Sequence, residues 1–146
     1  MSSLRDLYQE IILDHGKQPR NFGELDNATH HQSGHNPLCG DKLTIFICQE
    51  KDVLVDIKFK ACGCAISVAS ASLLTESIKG KNIQEFEELF ELFLQLVMTG
   101  KDDSTLGKLT VFGGVVEFPV RVKCATLAWH TLNAALKNAS ATVSTE

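Results

Sequence analysis

Apolar residues at spacings of three and four positions indicate helices in several parts of the chain. The first helix is expected over residues 3–15, immediately before a glycine. Residues 65–79 are rich in alanine, serine and leucine, which is typical of a helix packed closely against a neighbour. A third helix is predicted from Ile83 to Gly100, and its broad apolar face favours burial over a partner surface. Pro119 suits the first turn of a last helix.

An alternating pattern predicts a β-hairpin in the middle of the chain. Residues 42–49 and 53–61 are rich in β-branched and aromatic side chains, and a polar turn at residues 50–52 separates them. Because side chains alternate between the faces of a strand, we expect one face of this hairpin to be buried. That face is predicted to contain Leu43, Ile45 and Ile47 on the first strand and Val53, Val55, Ile57 and Phe59 on the second.

Two stretches follow neither pattern. Residues 16–40 are rich in turn-forming residues and are predicted to be mainly loop, with one short strand around residues 28–33. Residues 101–117 are expected to be loop or short extended pieces. The order of one helix, a meander of strands and three helices predicts a single α+β domain over residues 1–146, with a tail that frays after about residue 138.

Composition narrows the class of protein. The chain has 146 residues, of which 44% are hydrophobic and 22% charged, and this usage excludes a disordered or fibrous protein. The net charge of -4 argues against binding to nucleic acid or to an anionic membrane. The N-terminus lacks a basic region followed by an apolar run, and no apolar stretch is long enough to span a bilayer. We therefore expect a soluble cytoplasmic protein.

The cysteines are the most informative residues. In a reducing compartment their odd number, five, argues against a disulfide framework and for metal or thiol chemistry. Cys39 and Asp41 are two residues apart, so in an extended segment their side chains leave on the same side and can bind one ion. Cys64 is predicted at a helix N-terminus, where backbone N–H groups favour the thiolate.

Cys124, near the start of the last helix, completes a set of three sulfurs and one carboxylate oxygen if that helix packs against the same end of the sheet. Such a set suits tetrahedral zinc or an iron–sulfur assembly. The spacing alone leaves a purely structural zinc site or buried reduced thiols equally open.

The other candidate ligands have simpler interpretations. Cys48 is expected to be an ordinary packed thiol. Cys62 is either a bystander or a thiol with an auxiliary redox or ligand role. The histidines at positions 30, 31 and 35 are expected to be solvated in a loop.

The segments around three of the cysteines resemble the cysteine motifs of the IscU/NifU-N scaffold superfamily. These segments are residues 36–41, 63–72 and 121–129, and the N-terminal helix and loop are also similar, so that the match runs collinearly from residue 4 to about residue 136. The resemblance implies a compact α+β domain in which helices flank a small antiparallel sheet of about three strands.

Two features favour the SufU branch of this family. Lys123 directly precedes the third motif cysteine, with Arg121 before it, and the interval of 60 residues between Cys64 and Cys124 is similar to the longer form of that branch. The resemblance then implies that zinc is bound by Cys39, Asp41, Cys64 and Cys124.

The same resemblance implies a role in iron–sulfur cluster biogenesis. SufU-like proteins accept persulfide sulfur from a cysteine desulfurase of the SufS type, so this chain is a possible zinc-dependent sulfurtransferase. Cys124 is the expected acceptor, and Arg121 is expected to pair with Asp41 or with a partner carboxylate. The alternative is a scaffold that assembles a transient [2Fe–2S] cluster on Cys39, Cys64 and Cys124 and passes it to apo-proteins. A zinc-stabilised interaction module without transfer chemistry is the third hypothesis.

Overall fold

The structure is a computed structural model, which describes residues 4–137 and 143–145. Among these residues are four α-helices, four strands and one 3₁₀ segment. In chain order they are α1 (Leu4–Lys17), β1 (His30–Asn36), β2 (Asp41–Glu50), β3 (Val53–Cys62), α2 (Ala65–Ile78), α3 (Ile83–Thr99), the 3₁₀ segment (Ser104–Glu117), α4 (Pro119–Leu136) and β4 (Val143–Ser144). None of the described helices meets the length and hydropathy needed to cross a membrane.

The sheet has the order β3-β2-β1-β4. Its three long strands are antiparallel, which confirms the predicted sheet, and the two-residue β4 adds a short parallel pairing to β1. The prediction of a frayed tail falls largely on residues 138–142 and 146, which lie outside the described residues. Within the tail, Val143 pairs with Gly34 of β1.

One face of the sheet packs on the helices, but its pattern departs from the prediction in β3. Ile57 and Phe59 are buried as expected, whereas Val55 is exposed and Leu54 is buried in its place. The register between β2 and β3 shifts after Cys48, so that Val55 has no opposite residue. This β-bulge reverses the alternation, because an extra residue turns the following side chains to the other face.

The connection after α3 is helical rather than extended, which corrects the second loop prediction. Asp103 begins the 3₁₀ segment by accepting a hydrogen bond from the Thr105 backbone N–H at 2.8 Å. Gly107 breaks it with a φ of 55°. Short helical turns separated by a kink do not produce a long periodic pattern, which explains why the sequence did not reveal them. The segment buries Leu106, Leu109, Val111, Phe112 and Val115.

The helices meet at α2, which packs against both α1 and α4. Its small side chains allow this close approach, and its residues 67–75 are all buried. Ser70 donates a hydrogen bond to the Ala125 carbonyl at 2.5 Å and accepts one from Trp129 Nε1 at 3.1 Å. The broad apolar face of α3 is buried as predicted, and Phe93 stacks on Trp129 with ring centroids 4.2 Å apart. This packing fixes the start of α4 over one end of the sheet.

Candidate metal centre

The turn between β1 and β2 places the first thiol. Asn36 and Asp41 are the last paired residues of the two strands, and residues 37–40 form the turn between them. The Cys39 backbone N–H donates to the Asn36 carbonyl at 3.3 Å, and Gly40 takes a φ of 71° that favours glycine. Cys39 is thereby held half-buried at the end of the sheet.

Asp41 links the sheet to the N-terminus of α2. The carboxylate is fully buried, and its Oδ1 accepts a hydrogen bond from the Cys64 backbone N–H at 2.8 Å. The other oxygen, Oδ2, lies 3.9 Å from Cys64 Sγ. Gly63 makes room for this contact, because its φ is 152° and a Cβ at this position would collide with Asp41 Oδ1. The predicted position of Cys64 is correct, since it is the N-cap residue of α2.

Cys124 comes from the second turn of α4 and is fully buried. Its Sγ lies 3.2 Å from Cys39 Sγ. Burial raises the pKa of the Cys124 thiol well above its usual range, and the hydrogen bond with Cys39 raises it further. In the absence of a cation this thiol is therefore protonated at neutral pH, and a cation bound here must displace its proton.

These contacts form what we call the thiol–carboxylate cluster, which consists of Cys39, Asp41 and Cys124. One ligand atom from each residue lies within 4.8 Å of the others. Two sulfurs on tetrahedral zinc lie about 3.8 Å apart, given bonds of about 2.3 Å, so the two thiols need only a small separation to share an ion. Cys64 is half-buried beside Asp41, with its Sγ 3.9 Å from Asp41 Oδ2, but it is not one of the residues whose ligand atoms all lie within 4.8 Å of one another. The donor set of sulfur and carboxylate oxygen fits zinc.

Arg121 lies one turn before Cys124 and is exposed. The negative charge that Cys64 carries as a thiolate, and next that of a Cys124 thiolate, raises the pKa of its guanidinium. Among the described residues no ion pair joins Arg121 to Asp41, so that predicted pairing is not formed. Arg121 is instead an exposed cation beside the thiols.

Other sequence candidates lie outside the cluster. Cys62 is exposed at the end of β3, opposite Lys42 of β2. Cys48 is half-buried, and the Asn27 amide lies 3.8 Å from its sulfur. The three histidines belong to strand β1 rather than to a loop, since β1 starts and ends later than the predicted strand.

Sequence reasoning missed the role of Asn36. Its side chain is fully buried, and its Nδ2 lies 3.4 Å from both Asp41 Oδ2 and Cys124 Sγ. The available signal was its position five residues before Asp41, at the other end of a tight turn. That signal does not include Cys124, which is 88 residues away in the chain.

Known proteins are similar to this chain over most of its length. The chain is 42% identical over 134 residues to the zinc-dependent sulfurtransferase SufU of Bacillus subtilis, covering 90% of each sequence. It is 36% identical over 142 residues to the iron-sulfur cluster assembly scaffold protein IscU of Streptococcus pyogenes, covering 96% of this chain and 89% of that protein.

Solved structures have the same fold. A protein assigned to iron-sulfur cluster assembly in the SUF system of Fervidobacterium islandicum superposes with a TM-score of 0.84 at 36% identity, covering 92% of this chain and 99% of that one. An N-terminal NifU-like protein of Brucella abortus is only 18% identical, yet its TM-score is 0.83 over 94% of this chain and 97% of that one, which shows the shared fold. Residues 7–144 match the family described as the NifU-like N terminal domain. The chain therefore belongs to the NifU-like N-terminal domain family.

Proposed function

We propose that this protein is a zinc-dependent sulfur acceptor in iron–sulfur cluster biogenesis, which takes persulfide sulfur from a cysteine desulfurase. The observation that carries the proposal is the thiol–carboxylate cluster, in which two cysteines and one aspartate from distant parts of the chain converge. The similarity to a zinc-dependent sulfurtransferase over 90% of both sequences supports the same conclusion.

Cys39, Asp41, Cys64 and Cys124 are the proposed zinc ligands. Zinc supplies a redox-inert positive charge that keeps ligand thiols deprotonated. Of the four ligands, Asp41 is the one we expect to bind zinc least firmly, because carboxylate oxygen is a harder ligand than thiolate sulfur. Its Oδ1 is nevertheless held by the Cys64 N–H, so the carboxylate stays in place when a thiol leaves.

Sulfur transfer is proposed to occur at Cys124. Its thiolate attacks the outer sulfur of the persulfide on the desulfurase, which forms a new S–S bond to Cys124. The S–S bond of the donor breaks, and the donor cysteine leaves as a thiolate. No electrons are gained or lost overall, because one persulfide is exchanged for another. Since Cys124 is fully buried, the docked donor must separate it from Cys39 during this step.

The surface around the site suits a protein partner. Leu38, Phe118 and Val120 are exposed apolar residues beside the segments that supply Cys39 and Cys124, and they are 60%, 56% and 46% exposed. Apolar residues next to a cation such as Arg121 are typical of protein interfaces. We propose a cysteine desulfurase of the SufS type as the partner and downstream apo-proteins as the final recipients.

The test is a desulfurase assay with metal analysis of the same sample. Zinc-loaded protein should accelerate alanine production from cysteine, and mass spectrometry after alkylation should find a persulfide on Cys124. Cys48→Ser is the control variant and should leave both readouts unchanged, because Cys48 lies outside the cluster. If fully zinc-loaded protein does not accelerate alanine production by the desulfurase that is encoded in the same genome, the proposal is wrong.

A second candidate function is assembly of a [2Fe–2S] cluster. It is favoured by the similarity to IscU over 96% of this chain and by the three thiols at one end of the sheet. Here the cluster is the cargo, bound by Cys39, Cys64 and Cys124. Anaerobic incubation with iron, cysteine and desulfurase would then give a stable visible chromophore that is transferred to an apo-ferredoxin, whereas the sulfur acceptor gives persulfide without a chromophore.

A further inference from the structure

Asn36 touches every residue of the thiol–carboxylate cluster. We propose that it is the positioning residue of the metal centre, which holds Cys39, Asp41 and Cys124 ready for a divalent cation. The inference rests on the metal site of the proposed function and adds a residue that is not itself a ligand.

The backbone of Asn36 acts on Cys39 and Asp41. Asn36 ends β1 directly opposite Asp41, which starts β2, so the two residues close the turn between the strands. Its carbonyl accepts the Cys39 N–H at 3.3 Å. The turn that carries Cys39 is thus fixed to the same residue that faces Asp41.

The side chain of Asn36 acts on Asp41 and Cys124. Its Nδ2 lies between the two groups, at 3.4 Å from Asp41 Oδ2 and 3.4 Å from Cys124 Sγ. An amide N–H placed between a carboxylate oxygen and a sulfur supplies a donor to both atoms in a site that excludes water. Without this donor, no amide joins the two groups, and we expect them to be held less closely in the positions that a cation requires.

The side-chain oxygen of Asn36 indicates that packing alone does not explain why an amide occupies this position. Oδ1 of Asn36 is buried and has no hydrogen-bond partner among the described residues. A buried acceptor without a partner destabilises a fold, so an amide that served only packing would be out of place here. The interactions that its Nδ2 makes with the cluster are the contribution that offsets this cost. Groups that orient metal ligands in this way commonly change metal affinity when they are removed.

The experiment compares Asn36→Ala with Gln32→Ala. Gln32 is a matched control, because it is also a buried amide of β1 and lies outside the cluster. Zinc affinity is measured by chelator competition, and cobalt(II) substitution reports thiolate ligation through its charge-transfer absorption. We expect N36A to bind zinc roughly 10- to 100-fold more weakly than Q32A, with an altered cobalt spectrum. The metal-free forms of the two variants should unfold at similar denaturant concentrations.

Equal zinc affinity and identical cobalt spectra in the two variants would overturn the inference. If N36A does not fold, Asn36→Ser is compared with Q32A instead. Serine leaves a smaller cavity, and its hydroxyl is too short to reach both Asp41 Oδ2 and Cys124 Sγ. Weaker zinc binding with an altered cobalt spectrum again supports the inference, and equal affinity with an identical spectrum overturns it. Failure of the metal site itself is distinguishable, because the wild-type protein would then bind neither zinc nor cobalt.

Discussion

Helix α4 contributes to two buried regions, which differ in whether their polar groups find partners within the fold. Around Trp129, aromatic rings of α3 stack face to face and the indole N–H has a partner in Ser70, so each group is satisfied within the fold. Five residues earlier, Cys124 lies against a second thiol, and the side-chain oxygen of the nearby Asn36 has no hydrogen-bond partner in the part of the chain that the structure describes. The first region needs nothing from outside the chain, whereas we propose that a cation completes the second. We therefore expect the two regions to respond differently to mutation and to metal.

Trp129→Ala should have the largest effect on stability. Removing a fully buried Trp from a packed core costs about 3–5 kcal/mol, and the hydroxyl of Ser70 loses its donor. Urea denaturation with and without zinc measures this cost. The loss should be the same in both conditions, because the ligands do not touch the indole. Loss of the zinc-dependent stabilisation in this variant would mean that the two regions are not independent.

Cys124→Ser should produce the reverse pattern. Zinc at about 100 times its Kd stabilises a folded protein by about 2.7 kcal/mol, and this variant should lose most of that increment. The metal-free protein should change little, because serine is similar in size to cysteine. Paired denaturation curves and the alanine assay check both points. A variant that loses zinc stabilisation yet still accelerates the desulfurase would favour the interaction module without transfer chemistry.

Gly63→Ala should lower both stability and zinc affinity, by a smaller amount. An alanine here must adopt a φ of 152°, and its Cβ must displace the Asp41 carboxylate. We therefore expect the free energy of unfolding to fall by about 2 kcal/mol and zinc binding to weaken. Gly114→Ala is the control, since a Cβ there meets no atom within 4 Å. Calorimetry of both variants, with and without zinc, measures the difference. Equal melting temperatures and equal zinc affinities would show that the close approach at Gly63 is not required.

Local patterns predicted most of the fold. The helices and the central hairpin follow from periodicity over ten or more neighbouring residues, as the stripe of α3 illustrates. The errors arose where a single residue changes the geometry: Val55 adds a bulge, and Gly107 kinks the 3₁₀ segment. Neither effect leaves a periodic signal.

The candidate site was predictable only in part. Cys39 and Asp41 are close in sequence, so their proximity was predictable, although the turn that carries Cys39, and not strand alternation, brings them together. Cys124 was added to them on the condition that the last helix packs against the same end of the sheet, and the resemblance to a family then supported that grouping, because 85 residues separate it from Cys39 and spacing alone does not bring them together. Asn36 depends on the same long-range packing, and its contact with Cys124 required coordinates.

The smallest predicted effect concerns His15, a buried side chain whose hydrogen bond is made within the fold and needs no metal. His15 of α1 lies 2.7 Å from Ser72 Oγ of α2, and the Arg20 backbone N–H donates to the same hydroxyl at 2.9 Å. The Ser72 hydroxyl proton is therefore available to His15 Nδ1, which must be neutral to accept it. Burial, and next the charge of Arg20, lowers the pKa of His15 below its ordinary value.

Linkage then fixes the sign of the pH dependence. Because the unfolded chain binds a proton at His15 more readily than the folded chain does, this stabilisation is complete above about pH 6.5 and is lost as the pH falls through the lower folded value. His130 shifts in the same direction through burial, so it contributes in parallel. Replacing His15 with Gln should flatten the decline in unfolding free energy between about pH 7 and pH 5, whereas His31→Gln, at an exposed position, should not. Denaturation of zinc-free protein isolates this effect from the metal centre, and an unchanged slope in H15Q would show that His15 does not couple α1 to α2.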